Sequence, residues 1–462
     1  MKAQDTPWPY MLVCKAWYQI LSSTPSLWTT FFVICDGRYS NIPHIPAMFD
    51  FYLRHSEDLP LTLYISVLFT TIKEDDTMSH VLFIDLLSRA YEVQHRWEDV
   101  HLCLECYAYH ERVITGKTRH PNDLLLDINS MPALKKLSID MPEDLPSHFR
   151  NCNVLALAHS DRLQYLRLRN VQVLFPTTST RPVPIYLPNL HTLQLDSLRE
   201  GTYDHIWALL SASSNVVSLK LDVTFLPEVE VEPTQPSTMS LFSLLKLERL
   251  SIRSCSFKQL LSFMDLIDFP SLRNLELLNF NLDNESLIGM ARLFCRHPHS
   301  IVSLLVDVTS LDEHLSDSAL EEFLGSFSEL EHLKLDVAHC CTTPESLYRA
   351  FSAVLTRQRT AGQNRPLILS RLKALDLAGN VSLHKVGIPS AVKGVIMACK
   401  ERYPAEFCIS VKQDTLILAA LRYEDIKAIL VRPLLDDMEI RRCVTETFSV
   451  TIESEKVVCV MD

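Results

Sequence analysis

Glycine is scarce in this chain, with 9 residues among 462, and the shortage excludes one class of site. Phosphate-binding loops depend on glycine, because a backbone without a Cβ atom can approach a phosphate closely. Neither G-x-G-x-x-G nor G-x-x-x-x-G-K-[ST] occurs in the sequence. We therefore expect no nucleotide cofactor, and no other cofactor is indicated.

Basic charge and long hydrophobic runs are also in short supply. Lys and Arg number 44 against 56 Asp and Glu, so the net charge is −12, and a nucleic-acid partner, which needs a basic surface, is not expected. Apolar stretches such as the one beginning at Leu61 are far shorter than the ~20 residues that cross a membrane, and no signal-peptide pattern is present, so no membrane partner is expected. The 13 scattered cysteines are typical of reduced thiols, which predicts a cytoplasmic or nuclear protein.

Signatures of catalysis are missing as well. G-x-S-x-G, H-E-x-x-H and the protein-kinase motifs do not occur, so we expect that the protein is not an enzyme. A catalytic site assembled by folding is the minor alternative.

One group of residues has the composition of a metal site: His101, Cys103, Cys106 and His110. Residues 103 and 106 of one strand point to opposite faces, however, whereas the thiolates around a structural zinc converge. We expect reduced thiols and no metal, and a metal site is the minor alternative.

The sequence is rich in one phrase, L-x-x-L-x-L, usually followed by a polar residue. With conservative replacements the phrase begins at Leu134, Leu163, Leu190, Val216, Leu247, Leu272, Ile301, Leu330 and Leu372. The starting positions lie 25 to 31 residues apart, except for a last interval of 42. Repeats of this period form solenoids, in which each unit buries its leucines by stacking on its neighbours. A solenoid presents a long surface, so the phrase predicts recognition of a partner.

Four regions are predicted along the chain. Residues 1–35 form a head, in which Met11–Leu21 has helical spacing of apolar residues. Residues 36–130 alternate helix and strand as two degenerate repeats. Residues 131–380 contain the regular array, and residues 381–462 form a cap, because a solenoid must cover its last apolar face.

Recognition is predicted to reside in the residues between the leucines, since alternate residues of a strand face opposite sides. The position after the last leucine is Asp in five of the nine phrases, which predicts an acidic column broken by Arg169 and Arg253. Two interpretations are open: a solvated concave face, or a charged track for a partner segment. The candidate partner-binding residues are Asp140, Tyr165, Arg167, Arg169, Asp196, Asp222, Arg249, Arg253, Asp307 and Asp336.

The array resembles leucine-rich-repeat proteins across residues 131–380. The resemblance implies an α/β solenoid, an irregular leucine-rich-repeat horseshoe with one strand and one helix per unit. The family places Asn or Cys three residues after the last leucine of the phrase. Cys255 and Asn380 fit that position here, whereas the other repeats do not, so we expect irregular turns.

The head resembles the second half of an F-box. V-C-K-A-W, which begins at Val13, is followed by S-T-P-S-L-W, which ends at Trp28. The fungal-type F-box families combine a similar small helical head with irregular repeats. The residues that carry the pattern, either as adaptor contacts or as the core of the head, are Val13, Cys14, Trp17, Pro25, Leu27 and Trp28. For Trp17 and Trp28 we favour packing in the core, which is usual for large aromatic side chains.

The F-box resemblance implies a partner and a function. The family docks on the Skp-type adaptor of cullin ubiquitin ligases, and the repeats bind a target protein, here unknown. The first F-box helix carries an L-P-x-E-type motif, which is missing before Val13, so we expect an N-terminally truncated F-box motif. The implied function is a non-catalytic substrate receptor of an SCF/cullin-type ubiquitin ligase. The alternative is a leucine-rich-repeat scaffold that does not bind the adaptor.

Overall fold

The structure is a computed structural model of an α/β protein with parallel strands. It describes residues 7–36, 44–69, 77–106, 125–127, 130–141, 154–156, 160–174, 177–178, 181–182, 185–196, 203–222, 242–253, 260, 264, 267–296, 301–312, 315–337, 345–360, 369–379, 395, 398, 408–413, 448–453 and 456–461. The chain forms two compact units, Met1–Lys220 with Phe225–Pro227 and Leu221–Thr224 with Glu228–Asp462. The division falls inside the region predicted as one array.

The first unit begins with the head. Helices α1 (Trp8–Met11) and α2 (Lys15–Ser22) are followed by a 3₁₀ turn, Pro25–Trp28. Cys14 has extended backbone between the two helices, so the helix predicted over Met11–Leu21 is divided in two. Proline opens the 3₁₀ turn, where its fixed φ is favourable and its missing N–H is not needed.

Helices and strands alternate through the rest of the first unit. In chain order they are β1 (Thr30–Asp36), α3 (Ile45–His55), β2 (Leu61–Phe69), α4 (Thr77–Glu92), β3 (Trp97–Cys106), β4 (Leu125–Asp127), β5 (Lys136–Asp140), β6 (Val154–Ala156), β7 (Tyr165–Arg169), β8 (Gln172–Leu174), β9 (Thr177–Thr178), β10 (Arg181–Pro182), β11 (Thr192–Asp196), α5 (Tyr203–Ala212) and β12 (Ser218–Asp222). A 3₁₀ turn, Gln94–Arg96, precedes β3. Within the described residues, the order α3, β2, α4 and β3 agrees with the helix–strand alternation predicted for residues 36–130.

The main sheet of the first unit is built in the order of the chain. Its strands lie in the order β1, β2, β3, β5, β7, β11 and β12, and the second unit begins within β12, at Leu221. The pairs from β1 to β11 are parallel, and each residue faces its counterpart in the next phrase, as Leu166 faces Leu193. The short strands β4, β6 and β8 form a second parallel sheet in the segments between the main strands.

A tight turn precedes most of the repeated strands. Before β11, the Leu190 N–H donates to the Leu187 C=O, and the same bond between residues three apart occurs before β5, β12, β14, β16, β18 and β19. Leu187, Leu190, Leu193 and Leu195 are all fully buried. Full burial of a leucine contributes about 2 kcal/mol, so each repeat depends on its neighbours for its core.

Side chains of these turns connect consecutive repeats. The Asn189 side-chain amide donates to the C=O of Asp161, and Asn215 donates to the C=O of Pro188 at 2.6 Å. In the second unit the Ser271 hydroxyl makes the equivalent bond to the preceding repeat at 2.6 Å. Carbonyl groups in turns lack partners from a strand ladder, so these donors satisfy them.

The second unit continues the same alternation. Its elements are β13 (Phe242–Ser243), β14 (Arg249–Arg253), β15 (Ile267–Asp268), β16 (Asn274–Leu282), α6 (Asn284–Arg296), β17 (Ser303–Leu311), α7 (Asp317–Gly325), β18 (His332–Val337), α8 (Glu345–Thr360), β19 (Ala374–Gly379), β20 (Cys408–Gln413), β21 (Phe448–Glu453) and β22 (Lys456–Met461). Strands β14, β16, β17, β18, β19 and β20 are parallel neighbours in that order. Within the predicted cap, β22 pairs antiparallel with both β20 and β21.

Candidate protein-binding sites

Trp28 is the buried centre of the head. Its indole N–H donates to the Leu21 C=O at 2.8 Å, which connects the end of α2 to the 3₁₀ turn. The ring meets Phe51 and Tyr52 of α3 edge-on, with centroid distances of 5.0 and 5.1 Å. Trp28 therefore holds the head against α3, as the core interpretation predicts.

Trp17 lies on the surface instead. Its side chain is 47% exposed and stacks on Tyr10, with 6.2 Å between the ring centroids. Leu21 is the buried residue of α2, whereas residues 15–20 are exposed and Ser22 is half-buried. The core interpretation is therefore wrong for Trp17, and its role as a surface contact remains open.

The exposed surface of the head is unusually apolar. We define the head patch as seven residues that are 41–88% exposed: Tyr10, Leu12, Val13, Trp17, Tyr18, Ile20 and Leu27. Trp17 and Ile20 are three residues apart and share one face of α2. Of the other predicted head residues, Cys14 is exposed and Pro25 is half-buried. Clusters of large exposed apolar side chains mark interaction sites in soluble proteins.

A ladder of aromatic rings crosses the first three strands of the main sheet. Phe32, Tyr64 and His101 occupy matching positions of β1, β2 and β3. The rings stack with centroid distances of 4.4 Å at both steps and interplanar angles of 12° and 13°. We call these three half-buried residues the aromatic row, and they face the side of the sheet opposite to the leucines.

The aromatic row leads into a group of charged residues on the same face. In register, His101 is followed by Ser138 of β5 and then by Arg167 of β7. We define the charge cluster as Asp140, Arg167, Arg169, Asp196 and Lys220. Register places Asp140, Arg169 and Asp196 side by side, and Arg167 lies two residues before Arg169 on the same strand.

Two aspartates anchor the cations of this cluster. The Arg167 Nη2 group donates to Asp140 Oδ2 at 3.3 Å, and Arg169 Nη1 lies 3.5 Å from Asp140 Oδ1. Asp196 has Arg167 Nε at 3.9 Å and Lys220 Nζ at 3.7 Å. All of these distances exceed the 2.7–2.9 Å of a strong charged hydrogen bond, so the guanidinium groups keep capacity for a further acceptor.

The acidic column therefore differs from the prediction in what it presents to solvent. Asp140 and Asp196 are buried, whereas the side chain of Arg169 is 44% exposed. The cluster contains two negative and three positive groups, which leaves one net positive charge. The physical reason is packing: a short aspartate lies at the base of the face, while the longer arginine and lysine stems reach past it into solvent.

Tyr165 borders the cluster as a neutral hydrogen-bonding group. Its hydroxyl donates to Gln194 Oε1 at 3.4 Å. Burial raises the pKa of Tyr165 above its usual value near 10, and the positive charge of Arg167 partly opposes this shift. The phenol is therefore protonated at physiological pH and can donate a hydrogen bond.

The second unit pairs its aspartates in a similar manner. Asp222 is buried with Arg253 Nη1 at 3.8 Å, and Asp336 lies 3.3 Å from Lys334 Nζ. Arg249 is exposed at the beginning of β14. The aspartates at this position therefore fix neighbouring cations in both units.

Asp307 accepts a hydrogen bond from backbone. Its Oδ2 atom lies 3.5 Å from the Asn279 N–H, where the register between β16 and β17 shifts. Asn279 has a positive φ of 58°, a conformation that asparagine tolerates better than most residues. This carboxylate therefore helps to define a bulge.

Two sets of residues were not found by the sequence patterns. The aromatic row was not recognised because its members lie in the irregular repeats. An aromatic residue or His on the same face of three successive strands is nevertheless a pattern from which such a row could be predicted. Asn170 was missed because it lies two residues after Leu168, where the family signature counts three. Its buried side-chain amide donates to the Met141 C=O at 2.6 Å, so it does connect one repeat to the previous one.

The residues considered for a metal site do not assemble in the described part of the chain. His101 belongs to the aromatic row and Cys103 is buried in the next matching row. The side chain of Cys106 and the whole of His110 lie outside the described residues. Among described residues, no group of three or more His, Cys, Asp or Glu is placed to hold a metal ion.

No protein-family model matches the chain, and no curated protein is significantly similar to it. Within the described residues, no helix combines the length and apolar character needed to cross a bilayer.

Proposed function

We propose that the chain is a protein-binding subunit that recognises substrates for an SCF/cullin-type ubiquitin ligase. The head would bind the Skp-type adaptor, and the face of the repeats would bind the target protein. The observation that carries this proposal is the head patch, because it concentrates exposed apolar side chains next to a firmly packed tryptophan. An apolar helix surface of this kind is suited to a permanent subunit contact.

The arrangement of the strands supports the second half of the proposal. Parallel strands follow chain order, a tight turn precedes most of them, and helices occupy several of the connections. These are properties of a leucine-rich-repeat solenoid, and we propose the irregular horseshoe form of that fold. The solenoid would hold the target protein close to the ubiquitin that the ligase delivers, so this chain would supply the specificity.

Co-purification with a Skp-type adaptor tests the role of the head. We expect Val13→Asp to abolish the complex, since a buried unpaired carboxylate costs several kcal/mol. Leu245→Asp is a matched control, because both side chains are 63% exposed and Leu245 belongs to the second unit. Binding is measured by pull-down of the two purified proteins, with circular dichroism to verify that each variant is folded.

The result separates the two functions that the sequence leaves open. Loss of binding in Val13→Asp with retention in Leu245→Asp supports the ligase receptor. If the wild-type chain does not bind the adaptor, or if both variants lose it equally, the receptor proposal fails and a scaffold without the adaptor remains.

A further inference from the structure

We propose that the first unit binds an extended segment of a partner protein through one carboxylate side chain, held at the charge cluster, and one aromatic or aliphatic side chain, held on the aromatic row. This inference rests on the proposed protein-recognition function and names the chemistry of the target. The two subsites lie on one face of one sheet, connected in register by Ser138.

The net charge of the charge cluster indicates that the partner side chain bound there is a carboxylate. Asp140 and Asp196 offset two of the three cations, so the cluster has a single positive charge in excess. One carboxylate of Asp or Glu neutralises that charge, whereas a phosphate with nearly two negative charges would exceed it. The planar Arg169 guanidinium, more exposed than the Arg167 one, can bind a carboxylate through two parallel N–H groups.

Two buried polar atoms close to the subsites lack a hydrogen bond, although one of them, Arg167 Nε, lies 3.9 Å from Asp196. Ser138 Oγ and Arg167 Nε are buried, and neither has a hydrogen-bond partner within the described part of the chain. A buried polar atom without a partner costs about 1–3 kcal/mol, so such atoms are rare and usually have a reason. Because neither atom is reached by solvent, a segment that lies across β3, β5 and β7 would bond to them only after a local shift of side chains.

Spacing defines the motif that the partner must carry. His101 and Arg167 are two strands apart, which corresponds to about 10 Å because neighbouring strands are separated by ~4.8 Å. An extended chain advances roughly 3.3 Å per residue and only alternate residues face the same side, so the two side chains of the partner are about two or four residues apart. The aromatic row supplies stacked rings of the type that is enriched at the centre of protein interfaces.

Selection from a random dodecapeptide display library on the full-length chain tests the proposal directly. Enriched peptides should combine Asp or Glu with an aromatic or aliphatic residue about two or four positions away. For the tightest synthetic peptide, fluorescence polarisation should give a loss of about tenfold in affinity on Arg169→Gln and a similar loss on Tyr64→Ala. Replacing the acidic residue of the peptide by its amide should produce the same loss.

Arg253→Gln is the matched control. Arg253 is 42% exposed at the side chain and is paired with a buried aspartate, as Arg169 is, but it belongs to the second unit. It should leave the affinity within about twofold, since distant sites act independently. Thermal unfolding of each variant identifies any loss caused by misfolding, and Arg169→Lys should restore part of the binding.

Three outcomes overturn the inference. They are enrichment of peptides without an acidic residue, an equal effect of Arg253→Gln and Arg169→Gln, and tighter binding of a phosphoserine version of the peptide than of the carboxylate version. Peptides that bind but ignore Arg169 and Tyr64 would also overturn the inference, while protein recognition at another surface would remain. Failure to enrich any peptide would contradict protein recognition itself, while adaptor binding is measured separately.

Discussion

Asn170 connects three consecutive repeats through its own backbone and side chain. Its amide side chain donates to the Met141 C=O, and its backbone N–H donates to the Asp196 C=O at 3.1 Å. The Met141 N–H in turn donates to the Arg169 C=O at 3.1 Å. A positive φ of 54° makes these bonds possible, and asparagine adopts that conformation at low cost.

Two substitutions at residue 170 separate these contributions. Asn170→Ala should destabilise the protein by about 2 kcal/mol, because it loses the hydrogen bond and because alanine tolerates the left-handed region less well than asparagine. Asn170→Gly should cost about 1 kcal/mol, since glycine accepts the positive φ and loses the side-chain hydrogen bond alone. Urea unfolding followed by circular dichroism measures both, and equal losses would show that the backbone conformation is unimportant.

Aspartate residues show the limit of reasoning from single residues. Their recurrence after the phrase was visible in the sequence, and register does align Asp140 with Arg169 and Asp196. Their burial was not predictable, because it depends on the length of the side chains that neighbouring strands place beside them. Recurrence of one residue type in the repeats therefore predicts that these residues form a row on the sheet. Whether they are exposed to solvent depends on the side chains of the adjacent repeats.

At the scale of elements, α2 is held by few contacts. Leu21 is its buried residue, and Trp28 connects the end of the helix to α3. A helix of 8 residues is too short to be stable alone in water, so its stability must come from packing. Its apolar residues instead remain exposed, which is expected of a surface that is completed by a partner.

Hydrogen–deuterium exchange tests this description of the head. In the isolated chain, the amides of Lys15–Ser22 should exchange faster than those of Ile45–His55, because local opening is easier where little surface is buried. Addition of the Skp-type adaptor should slow exchange in α2 and leave α3 nearly unchanged. Strong protection of α2 in the chain alone would contradict the prediction.

Elements were easier to predict than the surfaces that they build. The helix–strand alternation predicted for residues 36–130 from the spacing of apolar residues agrees with the order α3, β2, α4 and β3. The division of the first predicted helix at Cys14 was missed, since its extended backbone has no strong sequence signal. The aromatic row required knowledge of register between irregular repeats, which periodicity within one strand does not contain.

At the scale of the whole molecule, the order of the strands means that each repeat contacts mainly the repeats before and after it. In the first unit each main strand pairs with the strands of the adjacent repeats, and the core leucines of one repeat lie beside those of the next. Stability in such an architecture is approximately a sum over repeats and their interfaces. The effect of a local defect should therefore decrease with distance along the sheet.

Leu63→Ala tests this decrease within the first unit. Leu63 of β2 is fully buried, and its truncation should cost about 2–5 kcal/mol through the cavity that remains. Amide exchange should increase most in β1, β2 and β3 and least in β11. A uniform increase over all of these strands would show that the unit unfolds as one cooperative body.

The order of the strands also has a consequence for how the protein is made. Each parallel strand needs a partner that was synthesised roughly 30 residues earlier, so in each unit the sheet can grow on the ribosome as the chain emerges. The last two strands depart from this order, because β22 lies between β20 and β21. The edge of β20 therefore stays open until β22 has been synthesised, so the growth of the sheet no longer follows the order of the chain there.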